Sequence, residues 1–258
     1  GAFSLSPKNL PSSLTPPPMS RILILATRNL HKVGEIRSIL GDRFTCLCLR
    51  DLPTPPEVIE DADSFAGNAR KKAVELARWI SQIGWTPPTT SNPQTSTQGT
   101  TTGLILADDS GLEVDALNGA PGIHSARFAA LDSGAPGNSS DVENNAKLLR
   151  LLESVPEERR NARFRCVLAL TTIPAPGTAT SQPETQVFDG VCEGMITKTP
   201  SGGGGFGYDP LFTPSGYDRS FAELGAETKN QISHRSAALA KLRDHLRKND
   251  STGNPTST

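Results

Sequence analysis

The stretch RILILATRNLHKVGEIRSIL, residues 21–40, decides the fold class. Residues 21–26 form a short apolar run bounded by the polar turn Thr27-Arg28-Asn29, a pattern that predicts a buried strand. From Lys32 onward, Val33, Ile36, Ile39 and Leu40 recur at the spacing of one helix face. The same alternation of types continues outward from this unit. Ser64 caps a predicted helix over 65–80, with Phe65, Ala69, Ala73, Leu76 and Ile80 on one side. Residues 104–107 predict a second buried strand, after which Leu112, Val114 and Ala116 alternate. Ser140 and Glu143 have the spacing of a capping box and open a helix through Ala146, Leu149 and Leu152. Residues 163–171 and 187–197 predict strands, and Ser233 caps a last helix. Strands mixed with helices throughout predict an α/β layered domain.

Between and beyond these elements the composition changes. Residues 1–18 are rich in proline and lack both apolar periodicity and the features of a signal peptide, so a disordered extension ahead of Met19 is expected. Residues 84–102 and 174–185 have similar composition and predict inserted surface loops. A disordered tail is expected over 248–258, leaving 19–247 as a single domain. Lys and Arg number 26 against 27 Asp and Glu, a net charge of −1 that argues against nucleic acid or an anionic membrane as a bulk-charge partner. No apolar run approaches the ~20 residues of a membrane span. Four cysteines make no disulfide framework, so the chain reads as reduced and cytoplasmic. Cys46 and Cys48 fall on one strand face as two small hydrophobes.

Four motifs carry chemistry. The turn Thr27-Arg28-Asn29-Leu30-His31-Lys32 joins a strand to a helix start, where turn amides and the positive helix end favour an anion. An ordinary capped turn reads the same way. Asp108 and Asp109 follow the apolar run 104–107, and adjacent strand residues point to opposite faces, so the two carboxylates are expected to differ in role. One of them can bind a hard cation such as Mg²⁺ and orient water; a plain Asp-Ser-Gly turn is the competing reading. The Gly-rich loop GGGGFGYDP, residues 202–210, offers Phe206 for stacking on something flat and Asp209 for its polar edge. Tyr-Asp-Pro follows where a dinucleotide fold would start its helix, so that fold is not indicated. His234 and Arg235 place positive charge in a helix first turn, a local fault that an anionic or carbonyl-bearing ligand would compensate. Asn68 and Lys72, four residues apart, share a helix face from which Lys72 could reach a phosphate.

Together these residues resemble the inosine triphosphate pyrophosphatase family. The resemblance rests on five segments in order: the TxNxxK turn 27–32, ADDSGLEVD at 107–115, GAPG at 119–122 with Ser125-Ala126-Arg127, GFGYDP at 205–210, and Ser233-His234-Arg235. It implies a long mixed sheet flanked by helices, two lobes with a central nucleotide cleft, a homodimer, and Mg²⁺-dependent hydrolysis of ITP, dITP or XTP to the monophosphate and pyrophosphate. It makes Asp109 the general base and a metal ligand, with Glu60 as second metal ligand. Thr27, Asn29, Lys32 and Lys72 would hold phosphates. Phe206 would stack on the base, with Asp209, Lys229, His234 and Arg235 around its polar edge. Arg28, Leu30, His31, Ser110, Gly207 and Tyr208 would touch substrate as members of the same segments. Arg28 departs from the family's usual Gly and His124 from a common Tyr. Two other readings stay open: a related pyrophosphatase acting on a different modified nucleotide, and a non-catalytic nucleotide-binding module in which Arg28 spoils the turn. A panel of nucleotides separates them.

Overall fold

The apolar run at residue 21 forms strand β1 (Arg21–Leu25), and its alternation fixes what lies on either side of the sheet. Leu23 and Leu25 pack on one face against the helix α1 (Leu30–Leu40), while Ile24 and Ala26 pack on the other against α2 (Phe65–Ile83). β1 lies between two parallel neighbours, β2 (Phe44–Cys48) and β3 (Leu104–Val114). From β3 the sheet turns antiparallel through β4 (Asn161–Thr172), β5 (Thr185–Ile196) and the short β6 (Phe212–Pro214). The resulting order is β2-β1-β3-β4-β5-β6, a mixed sheet flanked by helices, as expected. α3 (Asp141–Leu151) follows β3, and the kinked α4 (Phe221–Ile232) and α5 (His234–Thr252) end the chain. This computed structural model describes residues 21–85, 103–134, 136–174 and 183–252. The expected extension 1–18, most of both insertions and the end of the tail lie outside the described residues.

Local signals work as expected at several ends. Ser64 accepts from the Gly67 amide at 3.2 Å, and Ser140 and Glu143 form the reciprocal capping box of α3. All five apolar residues assigned to one side of α2 are buried. Cys46 and Cys48 are free and buried in the core, as is each of the other two cysteines. Among the described residues no helix is long and apolar enough to cross a membrane.

Several elements differ from expectation. The predicted break after residue 107 is absent: β3 runs unbroken to Val114 because β4 pairs with it along its whole length, from Leu104↔Thr172 to Val114↔Ala162. β5 begins at Thr185, within the expected loop 174–185. α5 continues through Thr252, past the expected start of a tail at residue 248. α4 escapes periodicity because Gly225, at φ 80°, interrupts its helical phase.

Candidate active site

β1 pairs with β3 only as far as Leu25↔Leu106, so β3 projects beyond its parallel neighbour. Asp108 and Asp109 sit in that projecting part, in mid-strand rather than at a strand end. Ile105 and Ala107 face α2, and Leu106 faces α1 and α5, so the pleat sends Asp109 towards α2 and Asp108 towards α5.

On the α5 side, six charges alternate in one connected series. Lys32 Nζ meets Asp108 Oδ1 at 2.5 Å, and Asp108 Oδ2 accepts from Arg235 Nε at 2.8 Å. Arg235 Nη1 pairs with Glu35, whose other oxygen lies 2.9 Å from Lys229 Nζ. Lys229 then meets Asp209 Oδ2 at 2.5 Å. Burial alone would raise the Asp108 carboxyl, yet Arg235 and Lys32 overcome it and hold it well below the usual carboxylate range. Gly190 makes the approach of α5 possible, because a Cβ there would lie 2.0 Å from the His234 carbonyl oxygen. Protein carboxylates, Glu35 and Asp108, thus already offset the charge that Arg235 brings to the first turn of α5. Arg235 is 1% exposed and His234 3% exposed, so neither side chain of this turn is solvated.

On the α2 side, Lys72 Nζ donates to the Asp108 carbonyl at 2.8 Å and to Glu60 Oε1 at 3.1 Å, and lies 3.7 Å from Asp109 Oδ1. One ammonium thus gathers both carboxylates. Asp109 Oδ2 is buried and has no hydrogen-bond partner among the described residues. Burial raises the Asp109 carboxyl, Glu60 adds to the rise, and Lys72 and Lys32 only partly offset it. Two carboxylates with one buried orphan oxygen fit Mg²⁺, which is held by one or two carboxylates plus waters and substrate phosphates. Among the described residues no cluster of three or more His, Cys, Asp or Glu could cage an ion without such help.

These groups line two adjoining cavities. The outer one, about 920 Å³, includes Thr27, Arg28, Glu60, Lys72, Asp108 and Asp109. The inner one, about 140 Å³, includes Phe206, Gly207, Tyr208, Asp209, Lys229, His234 and Arg235. Asn29, Lys32, Ser110 and Ala126 line both. Lys229 Nζ lies 4.4 Å from the Phe206 ring centre, and Asp209 Oδ2 fixes that loop by accepting from the Phe206 amide at 2.9 Å. His234 stacks on Phe164 with centroids 4.8 Å apart. Burial, with Arg235 and Lys229 nearby, depresses its pKa well below the usual value, so the ring is neutral; its buried Nδ1 has no partner among the described residues.

Most of the expected site residues thus converge on one connected space, with two corrections at the first turn. Asn29 Oδ1 accepts from the His31 and Lys32 amides at 2.9 and 3.3 Å, so these helix-start donors are already used. Leu30 and His31 line neither cavity: Leu30 is exposed, and His31 stacks on Phe206 at 5.1 Å. Asp209 spends Oδ2 on Lys229 and the loop amide rather than offering it to a ligand. Sequence reasoning missed Glu35, one helical turn after Lys32, and the arginine of the quoted Ser125-Ala126-Arg127, whose Nη2 reaches the Glu60 carbonyl at 3.3 Å. Arg28 similarly reaches the Pro55 carbonyl at 3.2 Å, so two arginines tie down the loop that carries Glu60.

An aromatic chamber opening onto a cationic, carboxylate-bearing trough defines an α/β protein built for a ligand with a flat head and an anionic tail. The chain belongs to the Ham1 family, whose sequence profile matches residues 23–245. It is 46% identical over 226 residues to the dITP/XTP pyrophosphatase of Geobacter sulfurreducens, covering 87% of this chain and 96% of that protein. It is 41% identical over 224 residues to the dITP/XTP pyrophosphatase of Shouchella clausii, with the same coverage. Among solved structures, a HAM1 protein from Coxiella burnetii superposes with a TM-score of 0.68 at 32% identity, over 88% of this chain and 99% of that one. A nucleoside-triphosphatase, dITP/XTP pyrophosphatase, from Mycobacterium abscessus gives 0.60 at 37% identity, over 86% and 98%.

Proposed function

We propose that the chain hydrolyses non-standard purine nucleoside triphosphates, ITP, dITP and XTP, to the monophosphate and pyrophosphate, with Mg²⁺ as cofactor. One observation carries this reading: the two cavities share Asn29, Lys32, Ser110 and Ala126 as lining, so a base in the inner one and a triphosphate in the outer one belong to a single ligand. The names of the relatives point to two of these, dITP and XTP.

The residues divide the work. Phe206 supplies a stacking face. Lys229 and Arg235, each held between two carboxylates, cannot turn away from the inner cavity and present donors to a 6-keto oxygen. A 6-amino group leaves those buried donors unpaired, at about 1–3 kcal/mol each, which disfavours adenine. Thr27, Arg28, Lys32 and Lys72 supply polar and positive groups for the triphosphate. Asp109, with its carboxyl raised by burial, accepts a proton from the attacking water. Bound by Asp109 and Glu60, Mg²⁺ would neutralise phosphate charge. The working unit is a homodimer, a point that sedimentation checks.

The test is a panel of nucleoside triphosphates with Mg²⁺ and purified protein, scored for pyrophosphate. Release from ITP, dITP or XTP with little from ATP or GTP is the expected result. No release from any of the three refutes the reading, and preference for a modified pyrimidine replaces it.

A further inference from the structure

Two adjacent residues in the first turn of α1 point to different places. Lys32 reaches Asp108 and lines both cavities. His31, about 100° away around the helix, is exposed and lines neither. Its ring lies against the Phe206 ring, with centroids 5.1 Å apart and planes 13° from parallel, an offset stack. Asn29 Oδ1 accepts from the His31 amide at 2.9 Å, so the backbone that carries this ring is fixed.

Phe206 has use for such a neighbour. Its own amide donates to Asp209 Oδ2, and Gly207 is gripped from α3, donating to Asp141 Oδ2 at 2.7 Å and accepting from Asn145 Nδ2 at 3.0 Å. These bonds hold the backbone and not the ring. The residues on either side, Gly205 and Gly207, offer no side chain to pack on it. Lys229 lines the inner cavity together with Phe206, its Nζ 4.4 Å from the ring centre, whereas His31 meets the ring from the solvent side. A ring left free to turn would lose that freedom when a base stacked on it, and affinity would fall by that cost.

We propose that His31 is a positioning residue for the base site: by stacking on Phe206 from outside the cleft, it sets the plane on which a purine lies. This rests on the pyrophosphatase reading and deepens it, because the turn that presents Lys32 to the phosphates then also sets the wall that receives the base. His31 itself takes no part in the chemistry.

The experiment compares wild type, His31→Ala, His31→Phe, Phe206→Ala and the double variant His31→Ala with Phe206→Ala, all as the full chain. Calorimetry measures affinity for inosine monophosphate, which carries the base, and for tripolyphosphate, which is the charged tail alone. Hydrolysis of ITP with Mg²⁺ gives KM and kcat. His31→Ala should weaken inosine monophosphate binding and raise KM about 2–10-fold, the scale of one aromatic pair, while kcat and tripolyphosphate affinity hold. His31→Phe, which keeps a flat ring, should restore both. In the double variant, His31→Ala should add nothing to the effect of Phe206→Ala. Unchanged inosine monophosphate affinity in His31→Ala overturns the inference, as does a His31→Phe no better than His31→Ala. An equal loss of tripolyphosphate affinity overturns it by placing His31 on phosphate, and an additive double variant does so by showing another route. If wild type binds inosine monophosphate but releases no pyrophosphate from ITP, the functional reading falls alone and the affinities still decide the inference. If wild type binds neither probe, both fall.

Discussion

Replacing Asp108 with Asn tests the electrostatic design of the site. The substitution keeps shape and removes one charge from the buried series between Lys32 and Arg235, both within 2.8 Å of the carboxylate. Arg235 is 1% exposed and, among the described residues, retains only Glu35 as a charged partner. Breaking a buried pair from one side costs about 3–5 kcal/mol. For a domain of this size that corresponds to a fall in Tm of about 6–20 °C. Calorimetry and guanidinium melts measure it. The double variant Asp108→Asn with Arg235→Met should cost less than the sum of the singles, with coupling of about 0.5–3 kcal/mol. The pH dependence has a definite sign. Because Arg235 and Lys32 depress the Asp108 carboxyl in the folded state, the unfolded chain binds the proton more readily. The stabilisation is complete above the unfolded pKa of about 3.9 and is lost as pH falls below it. Asp108→Asn should therefore flatten the decline of Tm with acid. A loss under about 1 kcal/mol, with strictly additive singles, would refute the account of the ion series.

Asp109→Asn should abolish turnover while nucleotide binding survives in calorimetry; retained turnover would remove Asp109 as the base. Phe206→Ala should raise KM by about 5–150-fold, equivalent to about 1–3 kcal/mol of stacking, with little change in kcat, and an unaffected KM would end the stacking role. Gly190→Ala places a Cβ against the backbone where α5 begins, so stability should fall by about 1–3 kcal/mol. An unchanged Tm would show that α5 can retreat without harm.

What the sequence disclosed depended on range. Caps and periodicity are local, so α1 was legible from Val33, Ile36, Ile39 and Leu40, and α2 and α3 from Ser64 and Ser140 and the apolar residues that follow them. The unbroken course of β3 was not, because Asp108, Asp109 and Ser110 look like a turn until β4 is there to pair with them. Five ordered segments disclosed which residues meet at the site. Their partners stayed hidden: nothing in the local pattern marks Glu35 as the bridge between Lys229 and Arg235, about two hundred positions away. For the same reason the first turn of α5 looked like a fault awaiting a ligand. The missing charges lie on α1 and β3.

The placement of Asp108 and Asp109 on consecutive residues of a paired strand has a consequence for how this protein can change. Their separation is set by the pleat and not by any flexible linker, so one deletion upstream within β3 would trade the two carboxylates across the partition they straddle. The hub of the ion series would then lie on the α2 side, and Asp109 would turn towards Arg235 and Lys32. Evolutionary drift can lengthen the loops at either end, but it has no gradual route through those eleven residues.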